Sequence, residues 1–222
     1  MKITLKSELI PFLIIVASVL VSILSYPYLP AQVPTHWGIA GTPDAYGSKL
    51  THSIFIPALI IGIYLLFLAL PYIDPKRANY EDFAGVYTIL KIMILGFMLG
   101  VQMLTIEAVF APEQRLAVNY LLAMLGVMFI VIGNYMAKIR PSWFVGIKTP
   151  WTLSNNEVWR RTHRVGGWGF VLFGLATLAL APFNQPKLQF LVFIGGALVA
   201  SLGPIIYSYL LYRRLEQEKT RK

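Results

Sequence analysis

Leu9–Tyr28 reads LIPFLIIVASVLVSILSYPY, twenty residues without a charge. A bilayer core about 30 Å thick needs about 20 apolar residues to be crossed as a helix. The run meets that length. It is also longer than the roughly 7–15 apolar residues of a cleaved secretory signal, and Tyr26-Pro27-Tyr28-Leu29-Pro30 is bulky where a cleavage site would be small. We read it as an uncleaved anchor. Five more runs follow, at Ile54–Tyr72, Phe83–Ile106, Ala117–Met136, Val165–Pro182 and Leu188–Tyr212. The fifth is short and glycine-rich; the last is long enough to tilt or to end in the cytoplasm. The pattern predicts an all-α fold, a polytopic membrane bundle of six transmembrane helices.

Composition agrees. Of the 222 residues, 57% are apolar and 13% charged, against about 25% charged in an average soluble domain. The mean hydropathy is +0.65. A soluble domain of this size has too little interior to hide that much apolar surface, so a soluble enzyme is excluded. A disordered chain would be polar and charge-rich. Cysteine is absent, which removes disulfides, thiolate catalysis and cysteine-ligated zinc.

The net charge of +9 is mainly a topology signal. Lys2 and Lys6, Lys76 and Arg77, the six basic residues between Lys138 and Arg164, and five between Arg213 and Lys222 fall on one side. Only Lys49, Arg115 and Lys187 fall on the other, and Lys91 lies inside the third run and can snorkel to its inner end. Basic residues stay on the cytoplasmic side, which places both termini inside a cytoplasmic (cell) membrane protein. Contacts with membrane lipids are expected and nucleic acid is not. The chain divides into 1–116, with three spans and a long outer loop at 29–53, and 117–222, with three spans and a long inner loop at 137–164. We expect one folding unit.

These two loops hold all three histidines and four of the five tryptophans. In the outer loop, Pro30 and Pro34 favour an extended entry, and Thr42-Pro43-Asp44-Ala45 suggests a turn. The loop offers His36, Trp37, Gly38, Gly41, Pro43, Asp44 and Lys49 as a ligand-binding set, with Trp37 stacking or inserting at the interface. A His–Asp contact that merely braces the loop is an equal and compatible reading. No metal and no other cofactor is expected. His36, Asp44 and His52, with Glu107 or Glu113, have suitable residue types for zinc but no zinc spacing.

The inner loop offers Arg140, Lys148, Thr149, Trp151, Trp159, Arg160, Thr162, His163 and Arg164 as an anion, lipid or partner-binding set. Ser154-Asn155-Asn156-Glu157 has the form of a capping box, so a short helix is expected to start there and to carry Trp159 and His163 on one face. A lipid-headgroup anchor is the plainest reading. A convergence of Lys148, Arg160, Arg164 and the Thr149 hydroxyl on an anion or protein is the second. General-base catalysis by His163 is the third, and it lacks a nucleophile or a carboxylate pair. We therefore expect binding rather than catalysis. Inside the spans, Gly96 with Gly100, Gly126 with Gly133 and Gly196 with Gly203 have the spacing of helix-packing faces. Without buried ionisable residues at mid-membrane, an ion pump is disfavoured.

The inner run, Gly133-Asn134-Tyr135-Met136 through Gly146-Ile147-Lys148-Thr149-Pro150-Trp151-Thr152-Leu153-Ser154 to Thr162-His163-Arg164 and Gly166-Gly167, resembles the SdpI family. The outer run, Pro34-Thr35-His36-Trp37-Gly38 with Gly41, Pro43-Asp44 and Lys49, resembles the domain of unknown function that often precedes the SdpI segment. Ser142 stands where the family usually has Asn, and Lys148 where it usually has Arg, which loses a planar two-point fork. The resemblance implies an integral membrane immunity protein that neutralises a membrane-active peptide toxin, and the residues of the outer loop, around His36, Trp37 and Asp44, are where we expect a peptide or lipid-bound ligand to be captured. It also raises signalling through a cytoplasmic regulator. From another class, a membrane enzyme or transporter acting on an amphiphilic or lipid substrate is the alternative.

Overall fold

The computed structural model describes residues 4–39, 42–111, 117–183 and 185–220. Helix α1 (Leu5–Ser25) leads through a short 3-10 turn into a hairpin of β1 (Gln32–Trp37) and β2 (Pro43–Ser48). Then come α2 (Lys49–Ile73), a second 3-10 turn (Arg77–Glu81), α3 (Ala84–Phe110) and α4 (Ala117–Met136). The short α5 (Pro150–Ser154), α6 (Asn156–Leu180) and α7 (Pro186–Thr220) complete the chain. Six of the described helices are long and apolar enough to cross a membrane, as the six runs predict. Their outward surface is apolar too: Val199 is 73% and Leu191 67% exposed, a surface suited to lipid and not to water.

Helices α1, α2 and α3 pack on one another, as α6 does on α4 and α7. The two triplets meet where α3 lies against α4. The closest pair is α4 with α6, and glycine makes it so. Gly126 lies against the Gly174 carbonyl and Gly133 against that of Gly167. A Cβ at Gly133 would stand 2.5 Å from the Gly167 oxygen. The antiparallel helices thus touch backbone to backbone at two levels one heptad apart. Gly100 faces Met124 of α4, and Gly196 faces Phe173 of α6, whereas Gly96 and Gly203 have no neighbour within 4 Å. Only half of those two expected pairs are contact points.

Inside the first triplet Gln102 and Lys91 are paired, whereas the buried Ser53 hydroxyl of α2 has no hydrogen-bond partner among the described residues. Gln102 donates to the Ser22 hydroxyl (2.8 Å) and the Ser18 carbonyl (3.0 Å), and accepts from the Ser18 hydroxyl (2.6 Å). Lys91 is not a snorkelling cation. It is fully buried and donates to both carboxylate oxygens of Glu8 at 2.7 Å, tying α3 to the first turns of α1.

Two local readings need correction. Pro43 and Asp44 open β2 instead of occupying a turn, and the chain reverses between Trp37 and Pro43. The expected short helix and fifth span are one helix, α6, because Arg160, Arg161 and Arg164 project outward while Val158, Trp159, Thr162 and His163 turn inward. Its cap is Asn155, whose side chain accepts from the amides of Glu157 and Val158. The capping box lies upstream, between Thr149 and Thr152 at the start of α5.

Candidate functional site

The two long loops lie at opposite ends of the bundle. At the hairpin end, β1 pairs antiparallel with β2 from Gln32↔Ser48 to Trp37↔Pro43, with irregular register around His36. Val33 and Pro34 are buried against the helices. Lys49 belongs to the base of the hairpin: its ammonium reaches the Leu29 carbonyl (3.4 Å) and lies 4.7 Å from the Tyr26 ring centre. Trp37 is half-buried in a small crevice with Val101, Leu104 and Thr105 of α3 and Val118 and Leu121 of α4. It therefore wedges the hairpin over the seam between the triplets.

Beyond that wedge, His36 and Asp44 are exposed, and Nδ1 of His36 lies 2.5 Å from Oδ1 of Asp44. Gly38 donates its amide to the Thr42 carbonyl, and a Cβ on it would come within 3.0 Å of the Asp44 carboxylate. The structure thus brings His36, Trp37, Gly38, Pro43 and Asp44 together at one corner. Gly41 and Glu113 lie outside the described residues. His52 is elsewhere, buried on α2 with Nε2 3.4 Å from the Thr105 hydroxyl. Among the described residues, no three metal-ligating side chains converge.

At the other end, the inner loop closes on α6 as a clasp. Trp159 and His163 stack, with ring centres 4.0 Å apart and planes 22° apart. The Ile147 amide donates to Nε2 of His163 at 2.9 Å, and Nδ1 lies 2.8 Å from the Trp159 carbonyl. An amide can only donate, so Nε2 carries the lone pair and Nδ1 the proton: a neutral ring with both nitrogens committed to backbone. The indole of Trp159 donates to the Ile139 carbonyl (2.8 Å). Gly146, at φ +112°, passes directly beneath the two rings.

Thr152 donates to the Ile147 carbonyl, and the Thr149 hydroxyl meets that of Ser208 on α7 at 3.1 Å. Trp151 packs on Tyr209 of α7, with ring centres 5.0 Å apart. Thr149, Trp159, Thr162 and His163 are therefore interior, and the Thr162 hydroxyl has no hydrogen-bond partner among the described residues. The cations point away. Lys148 reaches the Phe144 carbonyl, Arg160 and Arg161 share Glu157, Arg140 approaches Asp82, and Arg164 is exposed. The buried Thr149 hydroxyl and the exposed cations do not form one anion site.

Sequence reasoning missed the residue that joins the triplets here. Asp74 is buried and accepts from the Lys76 amide (2.7 Å), the Tyr80 hydroxyl (2.9 Å) and the Trp143 amide (2.9 Å). Burial, and then the bond to Asp74, push the Tyr80 phenol well above its ordinary range. Lys76 also donates to the Leu153 carbonyl, and Asn79 to that of Pro141. The first triplet thus supports the clasp at several points.

Fold and ends together define a polytopic helical membrane protein, with a hairpin wedged at one end and a backbone-bonded clasp at the other. Residues 138–208 match the SdpI/YfhL protein family, and residues 13–61 match a domain of unknown function, DUF1648. The family segment runs through the clasp and ends at Ser208, the α7 residue that bonds Thr149. The chain is 27% identical over 211 residues to Immunity protein SdpI of Bacillus subtilis (strain 168), covering 95% of this chain and 98% of that protein. It is also 36% identical over 47 residues to Uncharacterized membrane protein YbgB of the same organism, 21% of this chain and 52% of that one. No solved structure matches.

Proposed function

We propose that this chain is an immunity-type protein of the cell membrane that neutralises a membrane-active peptide toxin by binding it at the outer face, without catalysis. The observation that carries this reading is the hairpin. It is held over the seam by Trp37 while the paired His36 and Asp44 stay open to solvent. A rigid mount carrying exposed polar groups is suited to binding. End-to-end similarity to Immunity protein SdpI supports the same reading. Both termini and the clasp face the cytoplasm, and the basic residues there contact inner-leaflet lipid.

The clasp geometry favours a structural role for His163 over a catalytic one. Both of its ring nitrogens are used by backbone groups, which leaves none to take a proton from a substrate. The test is protection. The full chain is expressed in a sensitive bacterium, an SDP-like toxin peptide is added, and membrane potential and survival are followed. Preserved potential is expected; collapse despite verified insertion would refute immunity to that toxin.

A further inference from the structure

At the clasp end, a basin of about 790 Å³ opens between the two triplets. Asn79 and Asp82 form one side, Lys138 and Arg140 follow the end of α4, and Glu157 and Arg160 come from the start of α6. Trp159, only 2% exposed, lines its depth.

The basin carries charges of both signs, three cations and two carboxylates, and they are unevenly paired. Glu157 already holds two arginines, Arg160 and Arg161. Nε of Arg140 stands 3.9 Å from Oδ2 of Asp82, with the two side chains 60% and 64% exposed, so water competes and the pair is loose. The Lys138 ammonium lies 5.0 Å from the Tyr135 ring centre and has no carboxylate partner among the described residues. The basin therefore offers one uncompensated cation, a second cation held weakly, and one carboxylate beside it.

We propose that the basin binds a zwitterionic phosphoamine group, the chemistry of an aminophospholipid headgroup. Lys138 and Arg140 take the phosphate and Asp82 takes the primary ammonium. A simple anion would meet the carboxylates, and a simple cation would meet the excess of positive charge. A phosphoethanolamine carries its amine two carbons from the phosphate ester oxygen, a short separation suited to the adjacent Arg140 and Asp82. A primary ammonium donates hydrogen bonds to a carboxylate, whereas a quaternary choline cannot. The basin lies at the ends of the spans, the level of the headgroups.

The proposal rests on the membrane reading of the fold and not on toxin protection. Binding is therefore measured without cells or toxin. The full chain in detergent micelles is titrated with phosphatidylethanolamine, phosphatidylcholine or phosphatidylglycerol, and the lipid-bound fraction is read by native mass spectrometry. Phosphatidylethanolamine is expected to bind about tenfold more tightly than the other two, the scale of one or two charge-assisted bonds.

The double variant Lys138→Gln/Arg140→Gln should lose about that factor. Asp82→Asn should reverse the order, so that phosphatidylglycerol exceeds phosphatidylethanolamine. These side chains are exposed, and an unchanged elution profile shows that the variants fold. Competition by soluble glycerophosphoethanolamine at similar concentration would make the headgroup alone the ligand; lack of competition would assign the site to a membrane lipid. Equal binding of the ethanolamine and choline lipids, a preference of the unaltered chain for phosphatidylglycerol, or a preference unmoved by the variants would overturn the proposal.

Discussion

Gly146 sits at φ +112° with Trp159 and His163 directly above it. A side chain there would be strained by the backbone and would strike both rings, so two separate costs fall on one residue. We predict that Gly146→Ala lowers stability by at least about 1–2 kcal/mol, seen as a lower unfolding temperature in detergent. Lys148→Ala, two residues on but exposed, should stay within about 0.5 kcal/mol. Equal effects would mean that the clasp is not a packed unit. At this scale the sequence was partly legible. The four-residue spacing of Trp159 and His163 put them on one face, and they stack. Asp74 was not legible, because its acceptor role depends on Trp143, 69 residues away. Glu8 was missed in the same way: a carboxylate beside a span end looks solvated until Lys91 is placed against it.

Among the elements, the six apolar runs became the six long helices, since the period and length of an apolar run report directly on a helix in lipid. From sequence the hairpin reads as a compact loop, because its strands carry prolines, glycines and polar residues without a clean alternation. The unity of α6 was hidden because its cations lower the local hydropathy, although they occupy only its outward side. Packing within the triplets gives two predictions.

Gly133→Leu should force α4 and α6 apart and reduce the yield of folded, monodisperse protein, whereas Gly203→Ala, with no neighbour within 4 Å, should be neutral or slightly stabilising. Equal yields would remove glycine contact as the basis of that pair. For the Glu8–Lys91 pair, Glu8→Gln strands a fully buried ammonium and should cost about 3–5 kcal/mol. Adding Lys91→Met should recover much of that loss, which thermal unfolding of the single and double variants would show. A single variant as stable as the original chain would show that the pair is dispensable.

For the molecule as a whole, the proposed orientation, with the clasp and both termini in the cytoplasm and the hairpin outside, rests on the distribution of basic residues. The natural chain has no cysteine, so introduced ones report cleanly. An impermeant maleimide should label Tyr46→Cys, on β2, in intact cells, and should label Lys219→Cys, near the end of α7, only after the membrane is opened. The opposite pattern would invert the topology and with it the outer-face reading.

The central claim is that the hairpin corner, held over the seam by Trp37, is where a toxin is met. Membrane potential under an SDP-like toxin peptide tests it most directly, comparing cells with the original chain and with His36→Ala/Asp44→Ala at equal membrane abundance. Both side chains are exposed, so their removal should spare the fold. The account predicts a held potential with the original chain and collapse with the variant. A variant that holds the potential as well as the original chain would contradict it.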